Sequence, residues 1–152
     1  MATNTLLQYL QSTDGDGVAL GITPSNRRQV ERFIASSAIA AGDIVALDIT
    51  KTADGDKSLF VVKADTSKGE TTLTIGVALE AAEADAELNV VIRGLVKDAN
   101  VASGGAVGDR IVGSGTAGRA TQYAAGSSQA VLGYQMAAAA ANKADVFIIK
   151  QF

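Results

Sequence analysis

The segment Ile75-Gly76-Val77-Ala78-Leu79 decides how this chain is read, because it returns as Leu132-Gly133-Tyr134-Gln135-Met136. In both places an apolar run with a glycine second leads into an Ala-rich turn and then into another apolar run. That run is Val90-Val91-Ile92-Arg93 in the first copy and Phe147-Ile148-Ile149-Lys150 in the second, and the two stretches align without a gap at a spacing of 57 residues. Upstream, Ala41-Gly42-Asp43-Ile44-Val45 is echoed by Val107-Gly108-Asp109-Arg110-Ile111-Val112. One unit therefore occurs twice: Gly-Asp, strand, turn, strand, apolar-Gly strand, Ala-rich turn, strand. The second copy is nine residues shorter between its Gly-Asp and its later glycine. A Gly-Asp pair suits a tight turn, since glycine takes φ > 0 and the carboxylate accepts a nearby backbone N–H. Gly76 and Gly133, inside strands, indicate a bulge or a close backbone approach.

Working outward, short β-type segments alternate with Gly, Asp and Ser turns from Arg27 onward: 29–35, 44–49, 59–63, 71–79, 88–97, 110–112, 119–123, 130–136 and 145–150. Their spacing is that of a sandwich or barrel. Val30, Phe33 and Ile34 also fit helical spacing. Ser36-Ser37 would interrupt such a helix, and Gly42-Asp43 looks like a strand-to-strand turn, so a strand is preferred. The expected fold is all-β, a small sandwich or barrel built from two related β-units, with an extended N-terminal arm. The arm is placed at 1–26 and the β-rich body at 27–152, with the internal repeat at about 41–95 and 107–152. In the arm, the spacing of Leu6, Leu7 and Leu10 with Tyr9 fits one amphipathic turn or two, a short helix or strand of its own. Thr13-Asp14-Gly15-Asp16-Gly17 then breaks the chain, and Pro24 falls just before the body. Arms of this kind often order only against a partner.

Composition narrows function mainly by what is missing. Among 152 residues there is no histidine and no cysteine. A Ser-His-Asp triad, an imidazole base, a thiolate nucleophile, a disulfide and the usual zinc ligand sets are thereby excluded. Ala (28) and Gly (16) together fill 44 positions, and aromatic residues only 7. Each buried position therefore removes little apolar area from water, at ~25 cal/mol per Å², so oligomerisation is the expected extra source of stability. The net charge is −3 with scattered basic residues, unlike the basic stripe that nucleic acid requires. No apolar stretch approaches the ~20 residues of a membrane span, and no secretory signal is read at the N-terminus. No nucleic acid and no membrane are expected as partners.

Three motifs invite chemistry. Gly113-Ser114-Gly115-Thr116-Ala117-Gly118 has the G-x-G-x-x-G spacing of dinucleotide sites, but no helix-forming segment follows and no acidic residue stands about twenty positions on. A hairpin turn is the expected reading, with no cofactor. Asp14-Gly-Asp16-Gly and Asp54-Gly-Asp56 resemble the start of a calcium loop but lack its later ligands. They are read as turns, with no metal site. Glu80, Glu83, Asp85 and Glu87 form the densest acidic cluster, yet the second copy carries Ala137, Ala140, Asn142 and Ala144 instead. A solvated turn is expected rather than a pair of catalytic carboxylates. Arg27, Arg28 and Arg32 form a basic counterpart that could meet an acidic patch on a partner.

The run Asn26-Arg27-Arg28-Gln29-Val30-Glu31-x-Phe33-Ile34-Ala35, then Ile39-Ala40-Ala41-Gly42-Asp43-Ile44-Val45-Ala46-Leu47-Asp48, resembles the tailed-bacteriophage capsid decoration (cement) proteins. So does Ile75 to Ala82 leading into Val90-Val91-Ile92-Arg93-Gly94. The resemblance covers about 26–152. It implies a β-rich body, usually a homotrimer, on the outer face of an icosahedral shell near threefold positions, with the major capsid protein as partner. It implies no catalytic residues, so no enzyme is expected. Trimer contacts are expected on apolar faces of the repeat strands, and shell contacts at Leu6, Leu7, Tyr9, Leu10, Arg27 and Arg28. Two other readings compete. One is a head-fibre or adhesive β-module binding surface glycans, for which Tyr123 and Tyr134 are the plausible stacking residues. The other is a ligand-binding β-barrel using Gly113–Gly118 or the acidic turn.

Overall fold

The computed structural model of the chain describes residues 28–68 and 73–149. The nine expected β-segments are nine strands: β1 (Gln29–Ala35), β2 (Ile44–Leu47), β3 (Phe60–Lys63), β4 (Thr74–Ala78), β5 (Glu87–Asn100), β6 (Arg110–Gly113), β7 (Ala120–Gln122), β8 (Gly133–Gln135) and β9 (Lys143–Ile148). No α-helix occurs among the described residues, and Thr66–Lys68 forms a single 3-10 turn. The segment with ambiguous spacing, 29–35, is a strand because β5 offers it an antiparallel partner from Glu87 to Arg93. Its Phe33 and Ala35 turn inward with the period of two that a strand requires.

The first five strands close on themselves in the order β1-β3-β2-β4-β5 and back to β1. Every pairing in this barrel is antiparallel except β1 with β3. The second unit repeats the scheme with β5 as its first strand. From Gly94 onward β5 pairs with β9, β9 with β8, β8 with β6 and β6 with β7. A parallel bridge from Val101 to Ala120 closes this second barrel, just as Ala35 pairs in parallel with Val61 in the first. The 14-residue β5 is thus the last strand of one barrel and the first of the next. It changes direction where Gly94 and Asp98 take φ of 111° and 55°, with a register shift between Val96 and Ala99.

Hydrogen bonds match between copies. Gly42 N–H donates to the Ala78 carbonyl and Gly108 N–H to that of Gln135. The carboxylates of Asp43 and Asp109 each accept the N–H three residues back, from Ala40 (2.8 Å) and Ala106 (2.9 Å). Gly42 and Gly108 hold φ of 85° and 91°, the left-handed region in which a side chain is strained. The ungapped sequence alignment needs one correction. Leu79 donates to Asn89, and its counterpart Met136 donates to Asp145, so the second Ala-rich turn is one residue shorter than the first. Nothing in a run of alanines marks the place of the deletion.

The interior of the first barrel is built from Phe33, Ala35, Ile39, Val45, Val61, Ile75, Leu88, Val90 and Ile92. The corresponding positions of the second are Ala99, Val101, Gly105, Ile111, Ala120, Leu132, Ala144, Val146 and Ile148, so the second barrel encloses smaller side chains. A volume exchange compensates at one place. Ile39 and Ala78 of the first barrel become Gly105 and Gln135, and a Cβ on Gly105 would run into the amide ends of Gln135 and Gln122. Gln135 is fully buried and donates to the Ala137 carbonyl at 2.8 Å. Gly105→Ala is therefore expected to cost about 1–2 kcal/mol by overpacking, and Gln135→Ala in the same chain to return part of that loss. Urea unfolding of the two single variants and the double variant measures the coupling; strictly additive costs would show that the two positions do not share space.

The barrels meet along a seam that is apolar with one polar pin. Ile44, Ala46, Val77 and Val91 point out of the first barrel and join the interior of the second in one continuous core cluster. This is why β4 is buried at all five positions, a pattern expected of strands covered on both faces. The Ser114–Gly118 hairpin between β6 and β7 lies over this face. Its Gly118 N–H donates to Ala64 and its carbonyl accepts from Ile44. A Cβ on Gly118 would stand 2.9 Å from the Asp43 carboxyl carbon. Asp43 is the pin: it is buried, its Oδ1 accepts from Asn100 Nδ2 on β5, and its Oδ2 faces Lys63 Nζ at 3.5 Å.

Candidate functional site

The structure disperses the residues that hinted at catalysis. Gly113–Gly118 is the hairpin just described: Ser114 Oγ accepts the Thr116 N–H at 3.0 Å, and strand β7 follows. No helix N-terminus is available there to face a phosphate. In the acidic turn, Glu80 Oε1 accepts both the backbone and side-chain N–H groups of Asn89. Glu87 pairs with Arg32 at 3.0 Å, with both side chains well exposed; such pairs contribute little to stability. Asp54 pairs with Lys57 at 2.8 Å in an exposed turn. Among the described residues no group of three or more acidic side chains converges as a metal site, and no helix is long and apolar enough to cross a membrane. Leu6, Leu7, Tyr9, Leu10, Arg27 and the Asp14–Asp16 motif lie outside the described residues. Arg28 immediately precedes β1 and is half-buried, with Nε enclosed and without a hydrogen-bond partner among the described residues.

One shallow, half-open hollow of about 190 Å³ lies at an end of the first barrel, lined by Glu31, Phe33, Leu47, Ser58 and Ile75. Its walls are mostly apolar and bring no set of polar groups to one point. Beside it, Asp48 caps the turn after β2 by accepting from the Thr50 N–H (2.9 Å) and hydroxyl (2.6 Å). Burial pushes the Asp48 carboxyl upward. The Ser36 and Thr50 hydroxyls, the Thr50 N–H and the Lys51 ammonium together outweigh burial and hold it below the ordinary aspartate value. This carboxylate stays ionised and structural.

What remains is surface. Large apolar side chains are exposed at Ile49 and Leu59, on either side of the β2–β3 loop, and at Tyr134 and Met136, on and just after β8. Tyr123 stacks with Arg110, whose guanidinium lies 5.5 Å from the ring centre. Of the two tyrosines read from the sequence as stacking residues, Tyr134 is exposed and Tyr123 is half-buried. Exposure of Ile49, Leu59 and Met136 was not legible there, because each stands at the first or last position of a β-type run and reads as core. The repeat gives these positions a meaning. Tyr134 corresponds to Val77, Met136 to Leu79, Phe147 to Val91 and Arg110 to Ile44, so they form the second barrel's version of the face that the first barrel buries in the seam. Of the strand faces expected to make contacts between copies, most are consumed within the chain, and this one is open.

No protein-family model and no curated protein matches the chain. Among solved structures, the fold is similar to the head fiber gp8.5 N base of bacteriophage phi29, with a TM-score of 0.57 and 19% identity, over 80% of this chain and 94% of that one. At this identity the likeness is one of fold.

Proposed function

We propose that this chain is a non-enzymatic structural protein of a phage head. It binds the outer surface of the shell as a trimer and stabilises the shell by bridging neighbouring major capsid subunits. The observation that carries the reading is the fold shared with a phage head fiber base. The decoration-protein resemblance of residues 26–152 supports it. Rigid β-barrels with short loops suit a part that must hold its shape while the shell is under load. Attachment at several equivalent points converts modest contacts into long residence by avidity, so no single deep site is needed. The shell-facing groups would be Leu6, Leu7, Tyr9, Leu10, Arg27 and Arg28.

A second reading, the base of a head fibre, is favoured by the fold shared with the phi29 head fiber base and by the exposed Tyr134 beside the half-buried Tyr123. Incubating the purified chain with empty heads that lack it separates the readings. A decoration protein co-sediments to saturation at a copy number divisible by three and raises the temperature at which shells open. Binding without any gain in shell stability favours a fibre base, and failure to co-sediment overturns both. Deleting residues 2–24 is expected to abolish co-sedimentation while leaving the solution mass per assembly in proportion. Undiminished occupancy would move the shell contact from the arm to the body.

A further inference from the structure

We infer that copies of this chain associate head to tail by repeating, between molecules, the packing that joins the two barrels within one molecule. The inference takes up the self-association in the proposed function and is independent of shell binding.

Within the chain the seam has two sides. The receiving side is the outward face of β2, β4 and β5, with Ile44, Val77 and Val91. The approaching side is the β6–β7 hairpin of the second barrel, with Gly113, Gly115 and Gly118 near Thr66, Thr74 and Asp43. Each side has a counterpart elsewhere on the same molecule, because each barrel carries both features. The second barrel's receiving face is Arg110, Tyr134, Phe147 and Met136. The first barrel's approaching hairpin is the β2–β3 loop, which is longer than its partner but shares two of its bonds. Asp48 Oδ1 accepts the Thr50 N–H as Ser114 Oγ accepts that of Thr116. The Asp48 N–H donates to Phe60 as the Ser114 N–H donates to Arg119. This correspondence places Leu47, Ile49 and Leu59 where the seam has its three glycines.

Both unused surfaces are apolar. The relative exposures are 50% for Ile49, 46% for Leu59, 38% for Tyr134 and 49% for Met136. Single exposed apolar residues are ordinary on a soluble protein. Here four of the six large ones among the described residues fall on the two free halves of one interface. Tyr, Met and Arg on the receiving face are the types enriched at the centres of protein contacts. The occupant of the Tyr134 face is therefore the first barrel of a second copy, with its β2–β3 loop at the edge of the contact as the β6–β7 hairpin is in the seam. Larger side chains on that loop fill the space that the seam closes by bringing backbone against backbone. The contact is heterologous, so the chain of contacts closes as a ring or continues as a line; the trimer proposed above would be a ring of six barrels.

The test uses the full-length chain and two exposed substitutions, Leu59→Glu on the approaching side and Tyr134→Glu on the receiving side. Light scattering is expected to show wild type larger than a monomer and each variant monomeric with unchanged circular dichroism. Mixed in equal amounts at high concentration, the variants should form a one-to-one dimer, since the mixture retains one intact pair of surfaces. Ile49→Glu mixed with Met136→Glu should behave the same way. A monomeric wild type, variants that keep the wild-type mass, or a mixture that stays monomeric would each overturn the inference. A monomer that still co-sediments with shells would fail this inference alone. An assembly that behaves as described but ignores shells would fail the head reading alone.

Discussion

Gly76→Val is expected to lower the free energy of unfolding by about 3 kcal/mol or more, with a melting temperature lower by roughly 10 °C for a chain of this size. The reason is backbone against backbone. A Cβ on Gly76 would overlap the Val91 carbonyl oxygen of the neighbouring strand, and that on Gly133 would overlap Phe147 in the same way. Neither carbonyl can retreat cheaply, since Val91 is paired with Val77 in the ladder of the first barrel and Phe147 with Tyr134 in that of the second. The Cβ at Gly76 would also stand 2.9 Å from the Val90 side chain, and since the overlap begins at Cβ no rotamer relieves it. Gly133→Val is expected to cost a similar amount for the same reason. Gly55 supplies the control: it lies in an exposed turn, and no atom stands within 4 Å of a Cβ placed there. Gly55→Val should stay within about 0.5 kcal/mol of wild type. Urea unfolding monitored by circular dichroism reads all three. Equal effects at Gly55 and Gly76 would show that loss of glycine as such, rather than strand approach, sets the cost.

The glycine pair also shows how far the sequence reaches. Alternating apolar residues between Gly and Asp turns were enough to place all nine strands, because a period of two with turn residues every few positions has few other solutions. The duplication was equally visible, since Gly42-Asp43 and Gly108-Asp109 impose a positive φ that only a few residues tolerate. Two features were out of reach. The sharing of β5 by both barrels looks in sequence like an ordinary strand followed by a loop, and only the pairing of Gly94 with Ile148 reveals it. Burial of Ile44 and Val77 on the outside of a barrel is likewise a consequence of where the second barrel sits. In hindsight the unbroken apolar run from Ile75 to Leu79 carried that signal, since a strand wetted on one face alternates with polar residues. The exposed apolar surface had no sequence signature of its own. Ile49 and Leu59 become exposed only because their strands stop short of them.

The two Gly-Asp turns, identical as motifs, set up a second large difference. Asp43→Ala is expected to destabilise the chain by roughly 2–4 kcal/mol, and Asp109→Ala by no more than about 1 kcal/mol. Each carboxylate accepts the N–H three residues back, and that bond contributes about equally in both places. Only Asp43 lies in the seam. Alanine there strands the Asn100 amide and the Lys63 ammonium beside a buried gap, with Gly118 packed against it. Lys63 is more than a third exposed and can turn to water, so its share is discounted. Asn100 is half-buried and its Nδ2 is aimed at the vacated carboxylate from β5, so its loss of a partner dominates. Asp43→Asn tests the division, because it keeps the shape and one acceptor oxygen while removing the charge. A cost near that of alanine would assign the effect to the Lys63 pair, and a cost near that of Asp109→Ala would assign it to Asn100. Equal costs for Asp43→Ala and Asp109→Ala would mean that the seam adds nothing to the turn. The two barrels would then be joined by apolar contact and the shared strand alone.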